Sequence, residues 1–113
     1  MHEIGLMQEL LEISLAQARA AGAERIETIV LRVGALSGVV PESLEFAFQC
    51  LARDTLAQDA KLEIEPVPVL CFCPDCQREF QPEGAHFACP DCGRASAEIR
   101  HGQELELVSL RVT

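Results

Sequence analysis

Four of the six cysteines in this 113-residue chain are spaced for metal binding. Cys73-Pro74-Asp75-Cys76 and Cys89-Pro90-Asp91-Cys92 are two C-x-x-C knuckles with 12 residues between them. Each knuckle is a turn tight enough to aim two thiolates at one ion, so the pair supplies a closed set of four sulfur ligands. Zinc suits that set. It is borderline-soft, takes four thiolates tetrahedrally and brings no redox chemistry. Two rivals use the same residues. A redox C-x-x-C motif normally occurs once, near a helix start, which disfavours two of them in so short a segment. A rubredoxin-like iron centre fits the second knuckle, where Gly93 follows Cys92, better than the first, where Gln77 follows Cys76. Of the other cysteines, Cys50 reads as a small buried hydrophobe on a helix and Cys71 as a bystander at a strand end. With four thiolates at hand, His86 and His101 read as solvent-facing.

Met1-His2-Glu3 is a second candidate site. Removal of an initiator methionine ordinarily needs a small second residue, so Met1 is expected to stay. The free amine, the His2 imidazole and nearby amide nitrogens can gather around one ion. Nitrogen donors of this kind favour tetragonal Ni(II) or Cu(II), and the Glu3 carboxylate could complete or tune the set. His2 also reads simply as a surface residue before a helix, and from these three residues alone that plainer reading is the favoured one.

Composition narrows the function classes. The formal charge of −9 leaves no basic face for a phosphate backbone or an anionic membrane. Within the knuckle region Arg78, Arg94 and Arg100 are offset by Asp75, Glu79, Glu83, Asp91 and Glu98, which argues against a nucleic-acid-binding ribbon. No run of about 18 apolar residues is long enough to span a membrane. The first residues lack the basic and apolar regions of a secretory signal, which points to the reducing cytoplasm rather than to a disulfide framework. A hydrophobic fraction of 49% and a charged fraction of 24% favour a packed core over disorder. No Ser-His-Asp order or phosphate-binding glycine loop is present, and a four-thiolate zinc has no open position. The chain therefore does not read as an enzyme.

Several elements must position these residues. Ile4, Met7, Leu11, Leu15 and Ala18, with Leu10 and Ser14 beside them, predict an amphipathic helix over 4–21, capped by Gly22. The β-branched run 26–33 predicts a strand. Pro41 suits the first turn of a second helix, extending to about Leu56. A second strand is expected from Lys61 to about Leu70, at an edge or broken late because of Pro66 and Pro68. A third runs over 104–112 and must pair with the other two. The fold class is α+β: a small three-stranded sheet with two helices, carrying an inserted zinc-ribbon-like module. Residues 1–70 plus 97–113 form an α/β domain in this reading, the one that bears the amino-terminal nickel-binding candidate, and 71–96 the inserted zinc-binding domain. With little apolar mass beyond Phe72, Phe80 and Phe87, the insert needs its metal in order to fold.

Taken together, several features resemble one family. They are Met1-His2-Glu3, the run Val33-Gly34-Ala35-Leu36-Ser37-Gly38-Val39 with Pro41-Glu42 and Leu44, Phe46-Ala47-Phe48, the two knuckles, and Gly102-Gln103-Glu104-Leu105 with Val108-Ser109-Leu110. In that order they resemble the HypA/HybF nickel metallochaperones of hydrogenase maturation. The resemblance implies weak Ni2+ binding at Met1, His2 and Glu3, with His2 the key ligand, and structural Zn2+ at Cys73, Cys76, Cys89 and Cys92. It implies delivery of nickel to the hydrogenase large-subunit precursor with a HypB-type GTPase; some members also serve urease. A further carboxylate ligand, implied from the loop before the second helix, has no counterpart here ahead of Glu42. The edge strand would permit weak homodimerisation. The alternative from another class is a structural zinc adaptor that carries no nickel.

Overall fold

The computed structural model describes residues 2–82, 87–95 and 98–113. Two helices and six strands follow in the order α1 (His2–Ala20), β1 (Ile26–Gly34), α2 (Pro41–Leu51), β2 (Lys61–Val67), β3 (Leu70–Cys73), β4 (Arg78–Phe80), β5 (Glu98–His101) and β6 (Leu105–Val112). They build two three-stranded sheets, ordered β2-β1-β6 and β4-β3-β5. In the first sheet β2 runs parallel to β1, so the connection crosses over through α2. β6 then closes the other side antiparallel to β1. Pro66 thus lies on an edge strand, where its missing N–H disturbs no inner ladder. Among the described residues no helix is long and apolar enough to cross a membrane.

The core lies between one face of this sheet and the two helices. Met7, Ile29, Leu31 and Leu44 are fully buried there, each worth about 1.5–3 kcal/mol of transfer free energy. Two register shifts between β1 and β6 fit the apolar pattern to that single face. The first, between Ile26 and Thr28, lets Ile26 and Ile29 both face inward although three positions separate them. The second skips Val108, which is exposed, so that Leu107 and Leu110 both reach the core. A regular strand would have turned one of each pair to solvent. Among the described residues the opposite face carries no helix and is largely polar, with Val30 among Thr28, Ser109 and Arg111. There Arg32, on the central strand, reaches Glu65 and Glu106 on the two edges at 3.5 and 3.7 Å.

Both helices depart from the expected ranges. α1 begins at His2 rather than at Ile4; Met7, Leu10, Leu11, Ser14, Leu15 and Ala18 are buried as expected, but Glu3 is buried with them and Ile4 is exposed. Its end is as expected. Gly22 takes φ +70°, and the Gly22 and Ala23 amides donate to Arg19 and Ala18 at 3.0 Å each, a Schellman cap. α2 stops at Leu51, short of Leu56. The Thr55 hydroxyl donates to the Ala52 carbonyl at 2.6 Å and accepts from the Ala57 amide, which gives the backbone a turn in place of another helical one. Cys50 is exposed, correcting its assignment to the core. It lies two positions from buried Phe48, about 200° around the helix.

The chain leaves the first sheet after β2 and returns before β6, and the loop after β1 braces both crossings. The Gly34 amide donates to the Glu104 carbonyl at 2.7 Å, that of Ala35 to Val67 at 2.9 Å and that of Leu36 to Gly102 at 2.6 Å. Gly34 has no room for a side chain: a Cβ would run into the Gly102 carbonyl and stand 2.7 Å from the Gln103 nitrogen. Gly102 takes φ +119°, and a Cβ there would meet Val69 Cα at 3.0 Å. Glu104 fastens the same turn. Its carboxylate accepts from the Gly102 amide at 2.7 Å and faces His101 Nδ1 at 3.1 Å.

Gly34→Ala should cost about 1–3 kcal/mol of stability through backbone displacement, read as a lower thermal midpoint. Gly5→Ala, on open helix surface, should show no such loss. Glu104 should also leave a pH signature. The backbone amides of Glu104 and Gly102, with His101 beside them, hold its carboxyl below the usual carboxylate range. Its contribution is therefore present above the unfolded value of about 4.3 and lost as pH falls through the lower folded value. Glu104→Gln should melt below wild type at pH 7, and the gap should close as the pH is taken below about 4.

Candidate functional site

The β3–β4 turn forms the first knuckle, and an isolated bridge between Ala88 and Ala95 brackets the second. Both turns have the same backbone. The Gln77 amide donates to the Cys73 carbonyl, and the Gly93 amide to the Cys89 carbonyl, at 2.8 Å each. Gln77 and Gly93 take φ of 55° and 75°. Gln77 thus adopts the left-handed conformation glycine would favour, with its side-chain amide donating to the Pro74 carbonyl at 2.6 Å. The contrast between Gln77 and Gly93 therefore does not separate zinc from iron.

The knuckles bring the four thiols together. The Sγ atoms of Cys73, Cys76, Cys89 and Cys92 all lie within 4.8 Å of one another. Cys73 and Cys92 are 3.6 Å apart, Cys76 and Cys89 3.9 Å. A tetrahedron with metal–sulfur bonds of about 2.3 Å has edges of about 3.8 Å, whereas a disulfide needs about 2.05 Å. The spacing and the donor type fit a four-thiolate ion. Cys73 and Cys89 are buried, Cys76 is half-buried and Cys92 exposed.

The protonation balance leads the same way. Hydrogen bonding with Cys92, together with burial and the neighbouring Cys89 and Cys73, pushes the Cys76 thiol up to about 12. The Cys92 backbone amide pulls Cys89 down. For Cys92 the Arg94 amide acts downward, but contact with Cys73 and burial outweigh it. Four sulfurs this close cannot all ionise on their own, and a divalent cation reverses that preference. Around the cluster Arg94 Nη1 meets Asp75 Oδ1 at 2.6 Å, and Arg78 Nη2 pairs with Asp91 Oδ2. In the sequence, Asp75, Arg78, Asp91 and Arg94 read only as charges that offset one another. Their repeated frame, Cys-Pro-Asp-Cys-x-Arg, was the signal that could have singled them out.

Cys50, Cys71, His2 and His101 are not part of the four-thiol group. Among the described residues these four cysteines are the one group of three or more His, Cys, Asp or Glu close enough to share an ion. Cys71 is fully buried in β3, opposite Phe80 and Ile99. His101 is exposed beside Glu104. His86 and Met1 lie outside the described residues. Arg100 stacks over the Phe72 ring at 4.1 Å. Among the described residues, the buried apolar ones near the second sheet are Cys71, Cys73 and Cys89, while the hydrophobic core cluster lies against the first.

At the amino terminus the first turn of α1 carries His2 and Glu3 on different sides. The His2 side chain is 64% exposed and that of Glu3 only 7%, with His2 Nε2 and Glu3 Oε2 3.1 Å apart. The first amides of a helix have no carbonyl one turn back to accept from. An exposed imidazole, a buried carboxylate and uncommitted backbone nitrogens therefore meet at one helix end.

Comparison with known proteins agrees with this architecture. The family described as "Hydrogenase/urease nickel incorporation, metallochaperone, hypA" matches residues 1–112. Hydrogenase maturation factor HypA of a Picosynechococcus strain is 46% identical over 112 residues, covering 99% of both chains. That of Chloroflexus aggregans is 46% identical over 111 residues, covering 97% of both. The solution structure of the nickel metallochaperone HypA from Helicobacter pylori matches with a TM-score of 0.67 at 25% identity, over 97% of this chain and 96% of that one. A second HypA solution structure gives 0.73 at 26% identity, over 100% and 97%. With matches that run through both sheets and both knuckles, the chain belongs to the HypA family of nickel-incorporation metallochaperones.

Proposed function

We propose that this chain is a nickel carrier for [NiFe]-hydrogenase maturation that takes up Ni(II) at Met1, His2 and Glu3 and holds Zn2+ at Cys73, Cys76, Cys89 and Cys92. The observation that carries the nickel part is the exposed imidazole of His2 at the first turn of α1, backed by the buried Glu3 carboxylate. Amine, amide and imidazole nitrogens select a tetragonal ion by geometry. The exposure leaves the ion open to ligand exchange by a receiving protein, as delivery requires. Affinity must be modest for release, on the order of micromolar, about −8 kcal/mol. Protonation of an imidazole competes with metal, so acid favours release. The role is carriage rather than catalysis.

Zinc would supply a structural cross-link between the knuckles and no reaction step. The two parts of the chain act as separate modules in this reading: the α/β domain, expected over 1–70 plus 97–113, and the cysteine module, expected over 71–96, whose sheet in fact takes in Leu70 and β5 (Glu98–His101). The receiving partners are the hydrogenase large-subunit precursor and a HypB-type GTPase, met in the cytoplasm. The HypA description in the family and in the relatives supports this hydrogenase pathway.

Calorimetric titration of Ni(II) into zinc-loaded protein that retains Met1 should give about one site, and His2→Ala should abolish it. Equal binding by both would move the nickel site away from the helix end. No binding by either would leave a zinc adaptor. Metal analysis of the purified chain should find one zinc and no visible thiolate-to-iron absorption. Cys76→Ser should lose that zinc and the structure of the second sheet while keeping most of the far-UV helix signal. A global loss of helix would exclude separable modules.

A further inference from the structure

Each knuckle opens a six-residue frame, Cys73-Pro74-Asp75-Cys76-Gln77-Arg78 and Cys89-Pro90-Asp91-Cys92-Gly93-Arg94. The two frames share more than their cysteines. In each, the fifth residue is left-handed and its amide donates to the carbonyl of the first. That turn fixes how the sixth residue leaves the knuckle, so Arg78 and Arg94 depart alike. The Asp of each frame then pairs with the Arg of the other: Asp75 with Arg94, Asp91 with Arg78. Both arginines bond through a terminal guanidinium nitrogen. Two frames facing each other about an approximate two-fold axis would generate this exchange, whereas a chance surface contact would form one pair.

The exchange spans the cluster from outside. Cys73 and Cys92, from different frames, are 3.6 Å apart, as are Cys76 and Cys89 at 3.9 Å. An ion held by all four is freed when one knuckle swings off the other, and that movement would break both Asp–Arg pairs. The four side chains are 46% to 64% exposed. Each pair by itself is therefore weak and open to salt. Acting together, the pairs oppose a single opening motion.

We propose that the Asp75–Arg94 and Asp91–Arg78 pairs form a reciprocal clasp that holds the two knuckles face to face and slows the escape of zinc from the four cysteines. The inference rests on the zinc reading of that cluster. Arg78, Arg94, Asp75 and Asp91 are positioning residues: they hold the ligands in place and touch no metal.

The test is the rate of zinc transfer from the full-length, zinc-loaded chain to excess chromogenic chelator, with zinc content measured beforehand. The double variant Arg78→Gln/Arg94→Gln should release zinc about five- to tenfold faster than wild type at low salt. The singles Arg78→Gln and Arg94→Gln should each be about two- to fourfold faster, and they decide the matter if the double variant retains no zinc. Wild type should approach the double variant at about 1 M salt. The swap Asp75→Arg/Arg94→Asp should return the rate to within about twofold of wild type, since it restores one pair with its charges exchanged. Unchanged release from the zinc-loaded variants overturns the clasp and leaves the zinc site standing. A swap as fast as Arg94→Gln also overturns it, because arginine charge alone would then be acting. Wild type that carries no zinc overturns the zinc reading and the clasp together.

Discussion

The fold depends on a close approach of backbones at Gly34 and Gly102. A second sheet inserted between β2 and β6 must leave the first sheet and return to it at nearly the same place, or β6 would miss its register on β1. The loop after β1 meets both crossings through three backbone hydrogen bonds. That is possible only because Gly34 offers no Cβ to the Gly102 carbonyl. The two glycines lie in two of the runs that carry the family resemblance outside the knuckles and the amino terminus. Their proximity gives those runs a structural meaning: they are two sides of one joint.

On either side of this joint stability has different sources. The α/β part buries a continuous apolar face of both helices and β1. The second sheet has only cysteines at its centre, an arginine stacked on Phe72, and ion pairs at its surface. Without the ion the Cys76 and Cys92 thiols are held toward their protonated forms, and with it the four sulfurs would become a cross-link. One part can therefore be rigid by burial while the other depends on its metal. A radius of gyration of 17.6 Å, against about 13 Å for a compact chain of this length, matches such an extended arrangement.

The elements governed by local periodicity were readable from sequence. The β1 run, the Gly22 cap, Pro41 at the start of α2 and the edge position of Pro66 all follow from residue type and spacing. The errors came from interactions between distant or competing groups. Periodicity put Ile4 on the inner line of α1, because nothing local favours burying a carboxylate such as Glu3. The end of α2 was missed because the Thr55 hydroxyl competes with the helix. Cys50 was judged by residue type rather than by its angle from Phe48. The bulge at Val108 depends on pairing with a strand some 75 residues away. At the cysteine cluster, C-x-x-C spacing was sufficient to group the four thiols. The exchanged Asp–Arg pairs escaped notice because they became visible only when one turn was placed opposite the other.

Placing the cysteine segment before β6 also constrains how the chain assembles. β1 is complete within the first third of the sequence, yet its antiparallel neighbour is the last element to be synthesised. Until β6 arrives, the inner strand has one open side and its apolar residues are only half covered, the kind of exposed edge that invites aggregation. Closing the first sheet means bringing together the ends of the segment between Val67 and Leu105. If Cys73 and Cys92 are already joined through an ion, the free part of that segment is roughly halved, saving about 0.6 kcal/mol of loop-closure entropy. Early metal capture would then favour a sealed sheet in the nascent chain, so that metal supply would act on folding yield as well as on the finished protein.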